Sequence, residues 1–243
     1  MEIVNISKNI VKVGNKLLRE KALPWSKEEL NDVRRVEKLL EKMYKEMKDC
    51  TGTGIAAPQI GVNKQLFLLE LPSQEGLNCP NFPLTAFFNP KIKLIDQDVT
   101  KPSRRTITDF KKFLHGSEKL LNLSQYKTKF QTEESTLPTI PTENNTITML
   151  ESCLSVPNIF AHVQRSKRCI ITFLDITGKE RIIEADGILA ACFQHEYDHL
   201  LGKIFIDRID KSELSNKLIY TTELTEDNLR EIFKLHGDFQ IIK

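Results

Sequence analysis

Gln194-His195-Glu196-Tyr197-Asp198-His199 contains an H-E-x-x-H pattern, and no other stretch restricts the fold of this chain so tightly. Two histidines four residues apart share one helical face, about 40° from eclipsed, so both imidazoles can grip one metal ion only if the stretch is helical. The glutamate between them then leans over the open coordination position as a general base, an arrangement that activates water. Accident produces such a pattern in roughly one chain in a hundred of this length, so it is read as chemistry. A catalytic site of this type takes three protein ligands and leaves one position open. The fold must therefore bring a third ligand to the helix from elsewhere.

The best third ligand is Cys153, in the extended segment Glu151-Ser152-Cys153-Leu154-Ser155-Val156. On composition alone it reads first as a buried strand cysteine. A neighbouring metal reverses that reading, because coordination deprotonates a thiol. A thiolate ligand suits Fe(II), Co(II), Ni(II) or Zn(II) better than Mg(II) or Ca(II). Substrate activation also needs donors aimed at a developing oxyanion, each contributing ~3 kcal/mol. Gln59, behind the glycine turn Gly52-Thr53-Gly54, is the candidate amide, and the Leu154 N–H is the candidate backbone donor.

The rest of the chain is organised around this centre. Its 243 residues suit one domain, read as spanning 1–243, and 40% hydrophobic with 28% charged residues describes an ordinary globular protein. A net charge of +2 is too mild to imply a direct nucleic-acid partner. No apolar run reaches the ~20 residues of a membrane span, and no secretory signal pattern follows Met1. Five cysteines, odd in number and sparsely spaced, read as reduced intracellular thiols.

Ser26-Lys27-Glu28-Glu29 is a capping box, with Trp25 and Leu30 as its hydrophobic staple, and it opens a helix expected over Lys27–Asp49. Strands are expected over Gln65–Leu71, Cys169–Asp175, Arg181–Glu184 and Ile204–Ile206, and largely helical structure over Leu214–Phe233. The stretch 96–148, polar and proline-punctuated around Gln131–Asn145, is expected to be a partly disordered surface insertion, with a short amphipathic piece near Phe110–Leu121. The stretch 207–243 reads as a C-terminal helical extension. It holds eight acidic and six basic side chains, too balanced for an electrostatic anchor on ribosomal RNA.

Three segments in this order, Gly52 to Gln59 (G-x-G-x-A-A-x-Q), Glu151 to Ser155 (E-x-C-L-S) and Gln194 to His199 (Q-H-E-x-D-H), resemble those of the peptide deformylases. Val11 to Ala22 and Phe88-Asn89-Pro90 are similar as well, so the likeness covers roughly residues 10–95 and 149–210. It implies an α+β fold whose antiparallel strands wrap around a central metal-binding helix carrying H-E-x-x-H. The implied activity is removal of the N-formyl group from the initiator N-formylmethionine of new polypeptides, releasing formate. By this resemblance Cys153, His195 and His199 hold the metal, Glu196 is general base and then acid, and Gln59 and the Leu154 N–H polarise the formyl carbonyl. Gly54 and Ile55 meet the substrate. The family commonly uses Fe(II), with Zn(II), Co(II) or Ni(II) in or accepted by various members. Partners implied are N-formylmethionyl peptides and nascent chains, with weak ribosome proximity and no membrane. The location implied is the bacterial cytoplasm, or mitochondria or plastids in a eukaryote, although little chain precedes the match to serve as a transit peptide.

Some positions depart from the family. Ser152 stands where glycine is usual, with a hydroxyl expected beside the metal ligand, and Phe160 lies where many bacterial members place an arginine. Asp198 reads either as a carboxylate orienting a ligand histidine or as a helix-surface residue, and Glu151 and Arg165 are placed to pair across adjacent strands. His115, His162 and His236 read as non-ligands. Two rival readings stand beside the deformylase one. A zincin-like metallopeptidase would usually take its third ligand from a downstream His, Glu or Asp, and Glu184, Asp207 and Asp210 are the acidic residues near the motif. An inactive family member would only bind peptides, with Ser152 as its marker.

Overall fold

The computed structural model describes residues 7–71, 81–95, 145–209 and, for the backbone, 218–220. The expected Lys27–Asp49 helix is two helices, α1 (Lys27–Asn31) and α2 (Val33–Asp49). The capping box forms as expected: Glu29 N donates to Ser26 Oγ at 3.2 Å, and Ser26 N to Glu29 Oε2 at 2.8 Å. Asp32 interrupts the run because its carboxylate accepts Arg35 N at 3.2 Å and so begins a new helix. Along α2 the buried side chains are Val36, Leu40, Met43, Glu46 and Met47, the apolar ones recurring at helical spacing.

Five strands, β1 (Gly54–Ala56), β2 (Leu66–Leu71), β3 (Phe82–Leu94), β6 (Arg168–Leu174) and β7 (Glu180–Asp186), form an antiparallel sheet in the order β1-β2-β3-β6-β7. A second sheet, β4-β5-β8, contains β4 (Thr146–Cys153), β5 (Val156–Ser166) and β8 (Leu218–Tyr220). Helix α3 (Gly187–Leu200) touches strands of both sheets. The fold is therefore α+β with antiparallel sheets. Phe193 of α3 joins a buried aromatic cluster in which Phe67 stacks on Phe87 at 4.4 Å and Phe87 meets Phe193 edge-on at 5.1 Å. Cys153, Phe205 and Ile206 belong to another apolar cluster with β5. Packed from both sides, α3 has its rotation fixed, and its polar residues are fixed with it.

Three expectations are corrected here. Ile204–Ile206 is not a strand: Phe205–Arg208 is a 3₁₀ turn, closed by the Asp207 carboxylate accepting Ile204 N at 2.8 Å. Thr146–Thr148, placed by the sequence reading inside the 96–148 insertion, belong to β4 and pair with Gln164–Ser166 of β5. Leu218–Tyr220 is a strand, not helix, where it extends the second sheet beside Ile159–Ala161. The rest of 214–233, and residues 96–144 of the expected insertion, lie outside the described residues.

The β6–β7 turn depends on one buried carboxylate. Asp175 Oδ1 accepts Thr177 N at 2.8 Å, Thr177 Oγ1 at 2.6 Å and Lys179 N at 3.1 Å, while Oδ2 accepts Arg181 Nε at 2.7 Å. Burial opposes the charge, yet these donors outweigh it and hold the carboxyl below its usual range. Asp175→Ala is expected to destabilise by about 2 kcal/mol. A folded-state value below the unfolded one means this stability is present above about pH 3.9 and lost as pH falls through the lower folded value. Thermal melts of both proteins from pH 7 to pH 3 should therefore draw closer at the acid end; a gap that widens there sinks the assignment.

Candidate metal centre

β7 leads into α3 through Gly187, whose φ of +61° is a conformation that a side chain would strain. On α3, His195 and His199 then face Cys153, the last residue of β4. Ligand atoms of these three lie within 4.8 Å of one another, with Cys153 Sγ 3.2 Å from His199 Nε2. Among the described residues this is the cluster able to hold a metal. One thiolate and two imidazoles are a donor set for a divalent transition ion, not for Mg(II) or Ca(II). His195 Nδ1 is engaged by Glu151 Oε2 at 2.8 Å, which leaves Nε2 free to ligate. Burial pushes the Cys153 thiol up, but His199 and His195 outweigh it and bring it to about 5, so the residue is held as a thiolate.

Glu196 is 5% exposed, and its Oε2 has no hydrogen-bond partner among the described residues. Burial raises its carboxyl, His195 and His199 lower it, and the balance is about 7. A buried carboxylate oxygen without a donor is costly unless water or substrate supplies one. The other oxygen lies against β1: a Cβ built on Gly54 would sit 2.2 Å from Glu196 Oε1. Gly54→Ala is therefore expected to displace the carboxylate and lower turnover by about 10²-fold. Rates of formate release per bound metal test this, and a variant within threefold of wild type would overturn it.

Gln59 is buried beside the cluster. Its Oε1 accepts Ala56 N at 2.7 Å, which turns Nε2 toward Ser155 Oγ at 3.2 Å and Cys153 Sγ at 3.4 Å. Leu154 follows Cys153 directly. Ile55 follows Gly54 on β1 and is fully buried. The structure thus brings Cys153, His195, His199, Glu196, Gln59 and Gly54 together.

Other sequence readings need revision. The Asp198 carboxylate is turned to arginines and not to a ligand histidine; buried at 1% exposure, it accepts Arg165 Nη1 at 2.5 Å and Arg208 Nε at 2.9 Å. The carboxylate on His195 is Glu151, which also binds Arg165 through two contacts of 2.7 and 2.8 Å. The expected pairing of Glu151 with Arg165 across β4 and β5 forms, and Arg165 also donates to Asp198, a second partner that sequence spacing did not reveal. Ser152 is exposed between buried Glu151 and Cys153, so strand alternation turns its hydroxyl away from the centre. Of the zincin-type alternatives, Glu184 pairs with Arg168 and Asp207 with Arg19, while Asp210, His115 and His236 lie outside the described residues. His162 is an exposed β5 residue. Cys50 and Cys169 are buried free thiols.

The polypeptide deformylase family model matches residues 7–215. The chain belongs to that family. It is accordingly a metal-dependent hydrolase that removes N-formyl groups from nascent polypeptides. Among its family relatives, the peptide deformylase of Pelagibacter ubique is 31% identical over 208 residues, covering 86% of this chain and 89% of the relative. Peptide deformylase 2 of Gloeobacter violaceus is 28% identical, covering 88% and 82%. Of the family's solved structures, the Ehrlichia chaffeensis peptide deformylase superposes with a TM-score of 0.59 at 25% identity, covering 94% of each chain. The Synechococcus elongatus deformylase in complex with actinonin gives 0.56 at 25% identity, covering 89% and 87%. Among the described residues, no helix is long and apolar enough to cross a membrane.

Proposed function

We propose that this chain hydrolyses the formyl amide of N-formylmethionyl peptides with Glu196 as its proton carrier and Cys153, His195 and His199 as the holders of one divalent metal. The observation that carries the reading is the buried Glu196 carboxylate, one oxygen unpartnered, next to a Cys/His/His cluster of ligating atoms. A divalent ion there supplies Lewis acidity and lowers the pKa of water. Glu196 takes a proton from the attacking water and returns it to the amine nitrogen as the C–N bond breaks, giving formate and a free amino terminus. A carboxyl near 7 suits both transfers at neutral pH. Gln59 Nε2 donates to Ser155 Oγ and to Cys153 Sγ; the weaker contact to the sulfur would be exchanged, so that this proton serves, with the Leu154 N–H, the oxygen of the formyl group.

β1 is the edge of its sheet, so a peptide can add as a further strand along Gly54 and Ile55. The Synechococcus elongatus relative holds actinonin, and a ligand against Gly54 here would meet the Glu196 wall directly. Fe(II) is the proposed native ion, with Zn(II), Co(II) and Ni(II) compatible with the same donors. A thiolate ligand and free cysteines fit a reducing intracellular compartment. Residues 1–243 are read as one deformylase domain, with the expected 96–148 insertion cut back to end before β4 at Thr146, and 207–243 as a C-terminal extension that contributes β8. The balanced charge of 207–243 supports no more than loose proximity to ribosomes.

The test is formate release from formyl-Met-Ala-Ser by protein loaded with Fe(II) without oxygen. Formate at one metal per chain supports the reading. Bound metal without formate would leave the peptide-binding alternative in its place.

A further inference from the structure

The turn bearing Leu154 is fastened from outside its own hairpin. β4 and β5 meet at the Cys153–Val156 pair, so Leu154 and Ser155 form a two-residue connection. Such connections favour turns with positive φ, whose twist matches that of the strands. Neither Leu154 nor Ser155 has positive φ; it appears instead on Asn158 (φ +62°), where β5 bulges and the register jumps to Ser152–Phe160. The tip therefore lacks the twist that would align it unaided. Both of its carbonyls are tied to the N-terminal segment. Lys12 Nζ donates to Leu154 O at 3.4 Å, and Val13 N donates to Ser155 O at 2.8 Å. Val11 N donates to Gln59 O at 2.7 Å. Three consecutive residues thus hold the backbone at both proposed oxyanion donors.

Within this clamp the Lys12 side chain is the one element that a substitution can remove while the backbone bonds stay. Half-buried, it lies close enough to Cys50 and Cys153 for their sulfurs to act on its charge. We propose that Lys12 is a positioning residue for deformylation, its ammonium fixing the Leu154–Ser155 peptide so that the Leu154 N–H and Gln59 stay aligned on one oxyanion. This rests on the donor roles given above to Gln59 and Leu154.

Lys12→Met keeps the aliphatic stem and removes the donor. Loosening a donor costs less than deleting one, so kcat for formyl-Met-Ala-Ser is expected to fall about 10-fold. KM should stay within about 2-fold, because the lost alignment matters in the transition state and not in ground-state binding. Lys12→Arg should restore most of kcat. Iron content, melting temperature and calorimetric affinity for the product Met-Ala-Ser should match wild type in both variants. Equal kcat in wild type and Lys12→Met overturns the inference while deformylation stands. Parallel loss of kcat, iron and melting temperature without rescue by arginine also overturns it, leaving a merely structural lysine. Wild-type protein that binds iron but yields no formate is the separate failure of the deformylation reading, and the inference goes with it.

Discussion

Glu196→Gln lowers kcat for formyl-Met-Ala-Ser by roughly 10²–10⁴-fold while one metal per chain stays bound; that is the largest effect expected from any single substitution on activity. Glutamine keeps the size of the side chain and its neighbours, including the close backbone of Gly54, but it can neither accept a proton from water nor deliver one to the departing amine. Because Glu196 is not among the three clustered ligating residues, its loss separates chemistry from metal retention. Steady-state formate assays beside metal analysis of the same samples check this. Activity within tenfold of wild type, or loss of metal in step with activity, would remove Glu196 from the proton-carrying role.

The largest effect on stability is expected at Arg165. Its guanidinium neutralises two buried carboxylates, Glu151 on the strand carrying Cys153 and Asp198 on the helix carrying the histidines. Arg165→Met deletes the cation the two carboxylates share, leaving Glu151 only His195 and Asp198 only the partly exposed Arg208, and breaking a buried pair in this way costs about 3–5 kcal/mol. In a protein of this size each kcal/mol moves the melting temperature by about 2–4 °C, so a drop of roughly 10 °C is expected. Metal affinity should fall with it, since Glu151 no longer holds His195 Nδ1 firmly at 2.8 Å. Replacing Glu151 and Asp198 by Gln and Asn in the same protein should recover part of the melting temperature but not the metal affinity. A single variant that melts within 2 °C of wild type would falsify the view that this arginine ties the sheet to the helix.

How much of this is legible in sequence depends on the reach of each interaction. The α3 helix is legible because two metal-gripping imidazoles impose a local period that no strand satisfies. Cys153 is legible through the chemistry of its partners, once a third ligand is required. Glu151 and Arg165 were placeable as a pair, but the choice of Glu151 over Asp198 as the partner of His195 depends on which residues the strands bring alongside α3, and periodicity does not carry that. The break at Asp32 is hidden for the opposite reason: apolar spacing runs through it unbroken, while one carboxylate finds a better bond at a helix start than in a helix interior. Ile204-Phe205-Ile206 has the composition of a strand, and the Asp207 carboxylate overrides it within a single turn. Lys12 is one of 35 basic residues, and nothing in its neighbours marks it before the hairpin tip arrives.

The contact between Gly54 and Glu196 bears on how this protein could escape an inhibitor seated along β1. A ligand lying along β1 rests on a position where the smallest added side chain would overlap the Glu196 carboxylate. Substitution there, the direct route to resistance against such a compound, disables the target together with the drug's foothold. Compounds that draw their affinity from the Gly54 backbone would leave selection little room.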